Sequence, residues 1–358
     1  MNILIASAIP YLPQIYGGVN TNTRELIAEF AARGHRASVL TRLGYCDAFG
    51  IRAAIAMKLR RRRVRCDADL GHPVFRARDP WKIVDDIPGH DVALVQDGSF
   101  RELASALEQA NIPPVGYFHG LEFEDWRRDG RPLTRQDLPP RMRFFANSGF
   151  TAGRFERQYG LKPTIVPPVF RRELYETRWE PKTATFINPV PEKGLDIVLE
   201  MARRCPDIPF VFVKGWPLKP RQSLQLRKAL RRLPNVELRS TVTDMRVIYR
   251  QCRVLLVPSM WERETWGRVA SEAHCSGIPV LGSDRGGLPE AIGPGGVILP
   301  VTAPAEEWAA ALRRLWDDKS WFMEKSAAAL AYSRRDQLDV RHQVDLLLAG
   351  LEEAAATH

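Results

Sequence analysis

Glu264 and Glu272 stand with seven residues between them in the stretch Pro258-Ser259-Met260-Trp261-Glu262-Arg263-Glu264-Thr265-Trp266-Gly267-Arg268-Val269-Ala270-Ser271-Glu272-Ala273. The apolar run Val254–Val257 precedes this stretch, and Trp266, Val269, Ala270 and Ala273 recur at helical spacing within it. The pattern predicts a strand closed by Pro258-Ser259, then a helix from about Trp266 to Cys275 stopped by Gly277. A helix start exposes unpaired N–H groups and the positive end of the dipole, so it draws anions. Carboxylates beside it can accept hydrogen bonds from hydroxyls. The combination suits a ligand with both hydroxyls and phosphates, which a sugar nucleotide has. At ~1.5 Å of rise per residue the two carboxylates lie ~12 Å apart along the axis, so they grip different parts of that ligand.

The elements that must position these groups are legible along the chain. Short apolar strands alternate with helix-period segments. The first series is Asn2–Ala6, Ala37–Leu40, Val92–Gln96, Val115–Phe118 and Arg143–Ala146. The second is Ala184–Ile187, Phe210–Val213, Val236–Leu238, Val254–Val257, Val280–Gly282 and Gly296–Leu299. Continuous apolar runs suit strands buried on both faces of a parallel sheet. Helices are predicted at Val19–Ala32, stopped by Gly34, and at Gly194–Arg204 and Ala305–Leu315. Two runs of alternating β and α units imply two doubly wound α/β domains. A hinge near Val166-Pro167-Pro168-Val169-Phe170 divides the chain into residues 1–170 and 171–337, and residues 338–358 carry a last helix with no strand after it.

Composition sets further bounds. At 358 residues the chain is long enough for two cores. No apolar run reaches membrane-span length, and the start Met1-Asn2-Ile3-Leu4-Ile5 reads as a strand rather than a signal peptide. Five scattered cysteines without CxxC spacing indicate reduced thiols in a cytoplasmic protein. The net charge of +10 peaks at Lys58, Arg60, Arg61, Arg62, Arg63 and Arg65, just after an apolar segment. This cluster (58–65) reads either as an exposed helix end or as a peripheral contact with the inner face of an anionic membrane. No basic–aromatic interleaving accompanies it, so nucleic acid is not expected. Gly17-Gly18 joins a strand to a helix without a G-x-G-x-x-G pattern, which gives no support for NAD. His119 falls at the end of a strand, where open α/β sheets place their ligands, although a packed core histidine also fits that position.

Pro258-Ser259, Glu264, Gly267, Glu272-Ala273, Gly277-Ile278-Pro279-Val280 and Asp284-Arg285-Gly286-Gly287-Leu288-Pro289-Glu290 together resemble the retaining glycosyltransferases of family 4. Gly17-Gly18-Val19, Phe118-His119-Gly120, Ala146-Asn147-Ser148 and Pro191-Glu192-Lys193-Gly194-Leu195 extend the likeness across both halves in the family's order. The resemblance implies a GT-B fold, two Rossmann-like domains facing across a cleft, with the last helix packing back on the first domain. It implies an enzyme that moves a sugar from a UDP- or GDP-sugar to a hydroxyl of a glycan, glycolipid or small molecule, with retention at the anomeric carbon. The rival readings are a catalytically silent sugar-nucleotide-binding protein, or another GT-B enzyme such as an epimerase or phosphorylase.

The same resemblance assigns roles. Glu264 meets sugar hydroxyls and Glu272 the ribose, while Thr265, Trp266 and Gly267 offer backbone N–H groups. Gly17 and Gly18 let backbone approach the donor closely. His119 positions the sugar, Lys193 neutralises the leaving diphosphate, and backbone near 240–244 meets the base. One position departs from the pattern: Asn188 stands five residues before Lys193, where the family has arginine. Lys214, at the end of Phe210–Val213, is expected to restore the missing charge. No cofactor or obligatory metal is expected. Asp67-Ala68-Asp69 has a DxD spacing but follows a basic loop rather than an apolar strand, and is read as chance.

Overall fold

A computed structural model describes residues 1–87, 89–139, 141–215, 218–240 and 242–357. The chain divides into two compact units, Met1–Val169 with Val340–His358, and Phe170–Asp339. His358, placed in the last helix by the sequence, lies outside the described residues.

Unit 1 runs β1 (Asn2–Pro10), α1 (Gly18–Ala32), β2 (Arg36–Arg42), α2 (Ala48–Leu59), β3 (Arg65–Asp67), β4 (Val74–Ala77), β5 (Val92–Val95), α3 (Phe100–Gln109), β6 (Pro114–Phe118), β7 (Arg127–Arg128), β8 (Arg131–Pro132), β9 (Phe144–Ala146), α4 (Gly149–Tyr159) and β10 (Thr164–Ile165). Its main sheet has the order β10-β9-β6-β5-β1-β2-β4-β3. All its pairs are parallel except β3 with β4. The period-2 geometry of a strand sends alternate residues to opposite faces. Leu4 and Ala6 join Phe118 and Phe155 on one side, and Ile3 and Ile5 join Val115 and Tyr117 on the other. The C-terminal helix, Val340–Thr357, covers that second face with Val344, Leu347 and Leu351, all fully buried. Each such side chain contributes about 1.5–3 kcal/mol relative to exposure.

Strand β4 is absent from the sequence reading because Arg76 interrupts its apolar run. Arg76 is nevertheless fully buried. Its Nε donates to Asp67 Oδ2 at 2.8 Å and its Nη2 to the Leu12 carbonyl at 2.6 Å. Asp67, the first acid of the DxD spacing, is therefore the counter-charge of a buried guanidinium.

Unit 2 runs β11 (Thr183–Ile187), α5 (Leu195–Arg204), β12 (Phe210–Val213), α6 (Pro220–Leu230), β13 (Val236–Arg239), α7 (Arg246–Tyr249), β14 (Cys252–Val257), α8 (Arg268–His274), β15 (Val280–Ser283), α9 (Leu288–Ile292), β16 (Gly296–Leu299), α10 (Ala305–Asp317) and α11 (Lys319–Tyr332). Its sheet is parallel throughout, in the order β13-β12-β11-β14-β15-β16. The order runs outward from β11 in both directions. The strand direction of travel reverses between β11 and β14, and doubly wound sheets bind ligands outside the carboxyl ends of the strands at such a point. The corresponding reversal in unit 1 lies between β1 and β5. Among the described residues no helix is long and apolar enough to cross a membrane.

Candidate active site

In unit 2 three loops converge at the reversal point. One is the 3₁₀ turn Pro191–Lys193 that follows β11, the second is the segment from Pro258 to Gly267 after β14, and the third is the Asp284–Gly287 loop after β15. Glycines allow the close approach. Gly194 has φ +85°, and a Cβ there would lie 2.0 Å from the Pro258 carbonyl oxygen. A Cβ on Gly287 would lie 1.9 Å from the Thr265 carbonyl oxygen. The Met260 N–H donates to the Glu192 carbonyl at 2.9 Å and the Gly287 N–H to the Glu264 carbonyl at 2.8 Å, stitching the loops together.

This packing brings Lys193 and Glu264 into an ion pair between Nζ and Oε2. Ser259 Oγ donates to the same Glu264 oxygen at 2.8 Å. Lys193 Nζ also sits 4.7 Å from the centre of the Trp261 ring. The side chains are 13% and 8% exposed, so the charges meet with little water between them. Sequence reasoning named both charges, but it did not foresee that one neutralises the other, nor that Ser259 and Trp261 complete the setting.

Helix α8 starts two residues later than the sequence suggests, because Gly267 takes a left-handed conformation (φ +78°) as its N-cap. A Cβ there would lie 2.3 Å from Leu288 Cδ2. Trp266 is core, with Nε1 donating to Ser271 Oγ at 3.1 Å, and Thr265 is buried beside it. Glu272 is buried too. Tyr249 Oη donates to its Oε2 at 2.7 Å, and Arg268 Nε to its Oε1 at 3.2 Å. Arg268 Nη2 reaches on to Tyr175 Oη at 2.9 Å. Glu264 is thus bonded to Lys193 and Ser259, and Glu272 to Tyr249 and Arg268. Burial, then the neighbouring Glu272, push the Tyr249 phenol well above its usual range, which keeps it a donor.

Asn188 follows β11 with φ +61°. Asparagine tolerates that left-handed region better than most side chains. Ile187 pairs with Val213 and the Asn188 N–H donates to the Val213 carbonyl at 2.9 Å, so Lys214 is the residue beside Asn188 across the two strand ends. Asn188 also closes down on Gly215, where a Cβ would meet Asn188 Oδ1 at 2.3 Å. Thr241, in the segment expected to meet the base, lies outside the described residues.

In unit 1 a buried polar layer lines the carboxyl edge of β5, β6 and β9. The His119 N–H donates to both Asp97 oxygens at 3.2 Å. Tyr117 packs its ring 4.1 Å from the His119 ring. Asn22, on α1, accepts from the Val169 N–H at 2.7 Å through Oδ1 and presents Nδ2 to His119 Nε2 at 3.4 Å. Asn147 accepts from Thr151 Oγ1 at 2.8 Å and Ser148 caps α4 by accepting from the Thr151 N–H at 3.0 Å. Burial, then the negative charge of Glu122, push the Asp97 carboxyl well above the usual carboxylate range. Gly120 lets the Glu122 carboxylate close in, since a Cβ there would meet Glu122 Oε2 at 2.2 Å. Gly17 differs: its φ is −164°, and a Cβ would find nothing within 4 Å, so neither conformation nor packing demands glycine. Asn22 and Asp97 were not singled out from sequence, because neither belongs to a spaced motif; only position near a strand end marks Asp97. Phe123 is fully buried and Trp126 stacks on Phe100 at 5.0 Å, so the segment after His119 is anchored to the core by two aromatics.

Two parallel doubly wound units, each with its polar residues at the carboxyl ends of the strands, define a GT-B protein. Solved structures share this fold. Anabaena HepE, crystallised in complex with UDP-glucose, matches with a TM-score of 0.74 at 17% identity, over 98% of this chain and 100% of that one. A glycosyltransferase from Rickettsia africae matches with a TM-score of 0.74 at 13% identity, over 99% and 98%. In sequence, residues 16–171 match the model described as Glycosyltransferase Family 4, and residues 181–318 the model described as Glycosyl transferases group 1. The two matches, one in each unit, together make the chain a glycosyltransferase of the family 4 type. The D-inositol 3-phosphate glycosyltransferase of Corynebacterium aurimucosum is 36% identical over 93 residues, 26% of this chain and 22% of that protein. The protein of the same name from Corynebacterium diphtheriae is 33% identical over 152 residues, 40% of this chain and 35% of its own length. The matched stretches thus span well under half of either relative.

Proposed function

We propose that the protein transfers a sugar from a nucleoside-diphosphate sugar to a hydroxyl acceptor with retention at the anomeric carbon. The observation that carries this reading is the buried Lys193–Glu264 pair at the reversal point of unit 2. A donor diphosphate entering there would share Lys193, and Glu264 would turn toward sugar hydroxyls with Ser259 still holding one oxygen. In the proposed step the bond from the anomeric carbon to the diphosphate oxygen breaks while the acceptor oxygen bonds to that carbon on the same face. The departing diphosphate takes the acceptor's proton. Lys193 and Lys214 stabilise the charge that grows on it, and this chemistry needs no metal, so EDTA is expected to leave turnover unchanged. Glu272 would reach a ribose by exchanging its bond with Arg268 or Tyr249. Thr265, Trp266 and Gly267 serve through backbone. In unit 1, His119 positions the donor sugar, and Gly17-Gly18 offers backbone that a ligand can approach. A uridine donor is the first to test, since HepE was crystallised with UDP-glucose.

The experiment is a panel of UDP- and GDP-sugars scored by mass spectrometry for bound nucleotide, transfer and slow hydrolysis. Glu264→Ala should abolish turnover while the protein stays folded; full activity in that variant overturns the assignment. Asn188, an uncharged residue at the expected arginine position, favours a second reading as a silent binding protein, in which donors bind but are neither hydrolysed nor transferred. Lys214→Ala separates the two: a large loss of turnover supports the compensating charge. We further propose a cytoplasmic location, with which exposed free Cys46 and Cys66 are compatible, and peripheral contact with anionic membrane through residues 58–65. The exposed stripe of Ile51, Ile55 and Leu59 on α2 supports that contact.

A further inference from the structure

Beyond the polar layer of unit 1, a surface cavity of about 340 Å³ opens beside the end of α2. Its lining includes the apolar residues Ala54, Met57 and Ile83. The same lining carries five cations, Lys58, Arg62, Arg63, Arg78 and Lys82, against one carboxylate, Asp79. Two of the cations are matched: Lys82 Nζ lies 3.0 Å from Asp79 Oδ2, and Arg63 Nη1 lies 3.3 Å from Asp86 Oδ2. Among the described residues, the side chains of Lys58, Arg62 and Arg78 have neither an ion pair nor a hydrogen bond.

The backbone holds this concentration of charge in place at a cost. Helix α2 ends in a Schellman turn, with the Arg62 N–H donating to the Met57 carbonyl at 2.9 Å and the Arg61 N–H to the Lys58 carbonyl at 3.2 Å. The position that takes the left-handed conformation in such a turn is ordinarily glycine, and here it is Arg61, with φ +50°. The turn leaves Arg62 and Arg63 lining the same cavity as Lys58 on the last helical turn. The cavity wall is also tied to the loop after β1. Gln14 Nε2 donates to the Gly44 carbonyl at 3.0 Å and to Asp47 Oδ2 at 2.8 Å, which fixes the segment bearing Tyr45, another lining residue.

We propose that this cavity binds a phosphate-bearing ligand, with the phosphate held by Lys58, Arg62 and Arg78. A bound phosphate supplies the counter-charge that Lys58, Arg62 and Arg78 do not find within the cavity. Guanidinium groups recognise phosphate oxygens in paired hydrogen bonds. The volume falls at the lower end of small-ligand sites and leaves room for more than a single phosphate group, with the apolar lining residues available to the remainder. The site is separate from the proposed donor site in unit 2 and does not depend on transferase activity.

The test is calorimetric titration of the full chain with inorganic pyrophosphate. Saturable binding is expected, weakened at least about tenfold in Arg62→Ala/Arg78→Ala, as loss of charge-assisted bonds to phosphate demands. Arg227→Ala/Arg231→Ala removes equal charge from the exposed α6 region of unit 2 and should change binding by less than about twofold. Absence of saturable binding, or equal effects of the two double variants, overturns the proposal. Sedimentation with phosphatidylglycerol vesicles, against phosphatidylcholine vesicles, identifies the source. Pelleting that pyrophosphate reverses, and that Arg62→Ala/Arg78→Ala loses, identifies a lipid headgroup. Pyrophosphate binding without pelleting identifies a soluble phosphorylated ligand.

Discussion

Replacing Glu264 with glutamine keeps the shape of the side chain and removes only its charge. Lys193 then remains in a setting where its side chain is 13% exposed, with a neutral amide in place of its partner. Exposed ion pairs contribute about 0–1 kcal/mol, whereas removing one partner of a buried pair costs about 3–5 kcal/mol. The residual exposure of Lys193 and the 4.7 Å contact with the Trp261 ring, which supplies some compensation, place the expected cost near the lower end of that range, at about 3 kcal/mol. For a unit of this size each kcal/mol shifts the unfolding midpoint by about 2–4 °C, so the midpoint of unit 2 should fall by about 6–12 °C. Lys193→Met/Glu264→Gln removes the stranded charge as well. If the pair is coupled as the geometry indicates, the double variant should be more stable than the sum of the single variants by at least about 2 kcal/mol. The measurement is a thermal unfolding cycle of all four proteins by calorimetry. A drop below about 2 °C in Glu264→Gln, or additive effects around the cycle, would falsify the view that these two charges meet in a dry site.

Glycine substitutions should divide sharply. Gly194→Ala combines φ +85° with a 2.0 Å approach to the Pro258 carbonyl, so it should destabilise unit 2 by at least about 2 kcal/mol or prevent its folding, read by urea denaturation. Gly17→Ala, with extended backbone and open space at its Cβ, should shift the same midpoint by less than about 0.5 kcal/mol, and a large loss of stability there would contradict the local geometry. Asp97 makes a pH prediction. Its folded carboxyl holds a proton at pH values where the unfolded chain has released it. The stability it contributes is therefore complete below the unfolded value and is lost as pH rises from about 4 through the folded value, at up to about 1.4 kcal/mol per pH unit. Asp97→Asn should remove that decline, and parallel pH profiles for the two proteins would rule it out.

The inner strands of unit 2, β11, β12, β14 and β15, were legible because nearly all their residues are buried, whereas the half-exposed edge strands β13 and β16 were marked by their place in the β–α alternation. Strand β4 was not, because a buried arginine does not look like a core residue until Asp67, on the neighbouring strand, is known to face it. The start of α8 was displaced for a related reason. Periodicity reported that Trp266 is buried, which it is, but not that it is buried outside the helix; the left-handed Gly267 separates the two. The same limit governs the site. Motif spacing identified Glu264, Glu272 and Lys193 as separate chemical groups, yet whether a charge is available or already matched is a property of three-dimensional neighbours. Lys193 and Glu264 are matched to each other, and Glu272 to Arg268 and Tyr249. A ligand that uses these groups must therefore exchange existing hydrogen bonds rather than meet bare charges. Affinity then depends on the difference between the bonds gained and those released. A diphosphate can take over the lysine's partner role in a way that a neutral sugar cannot. Selectivity for a charged donor would follow from that exchange, without any further contact to the sugar.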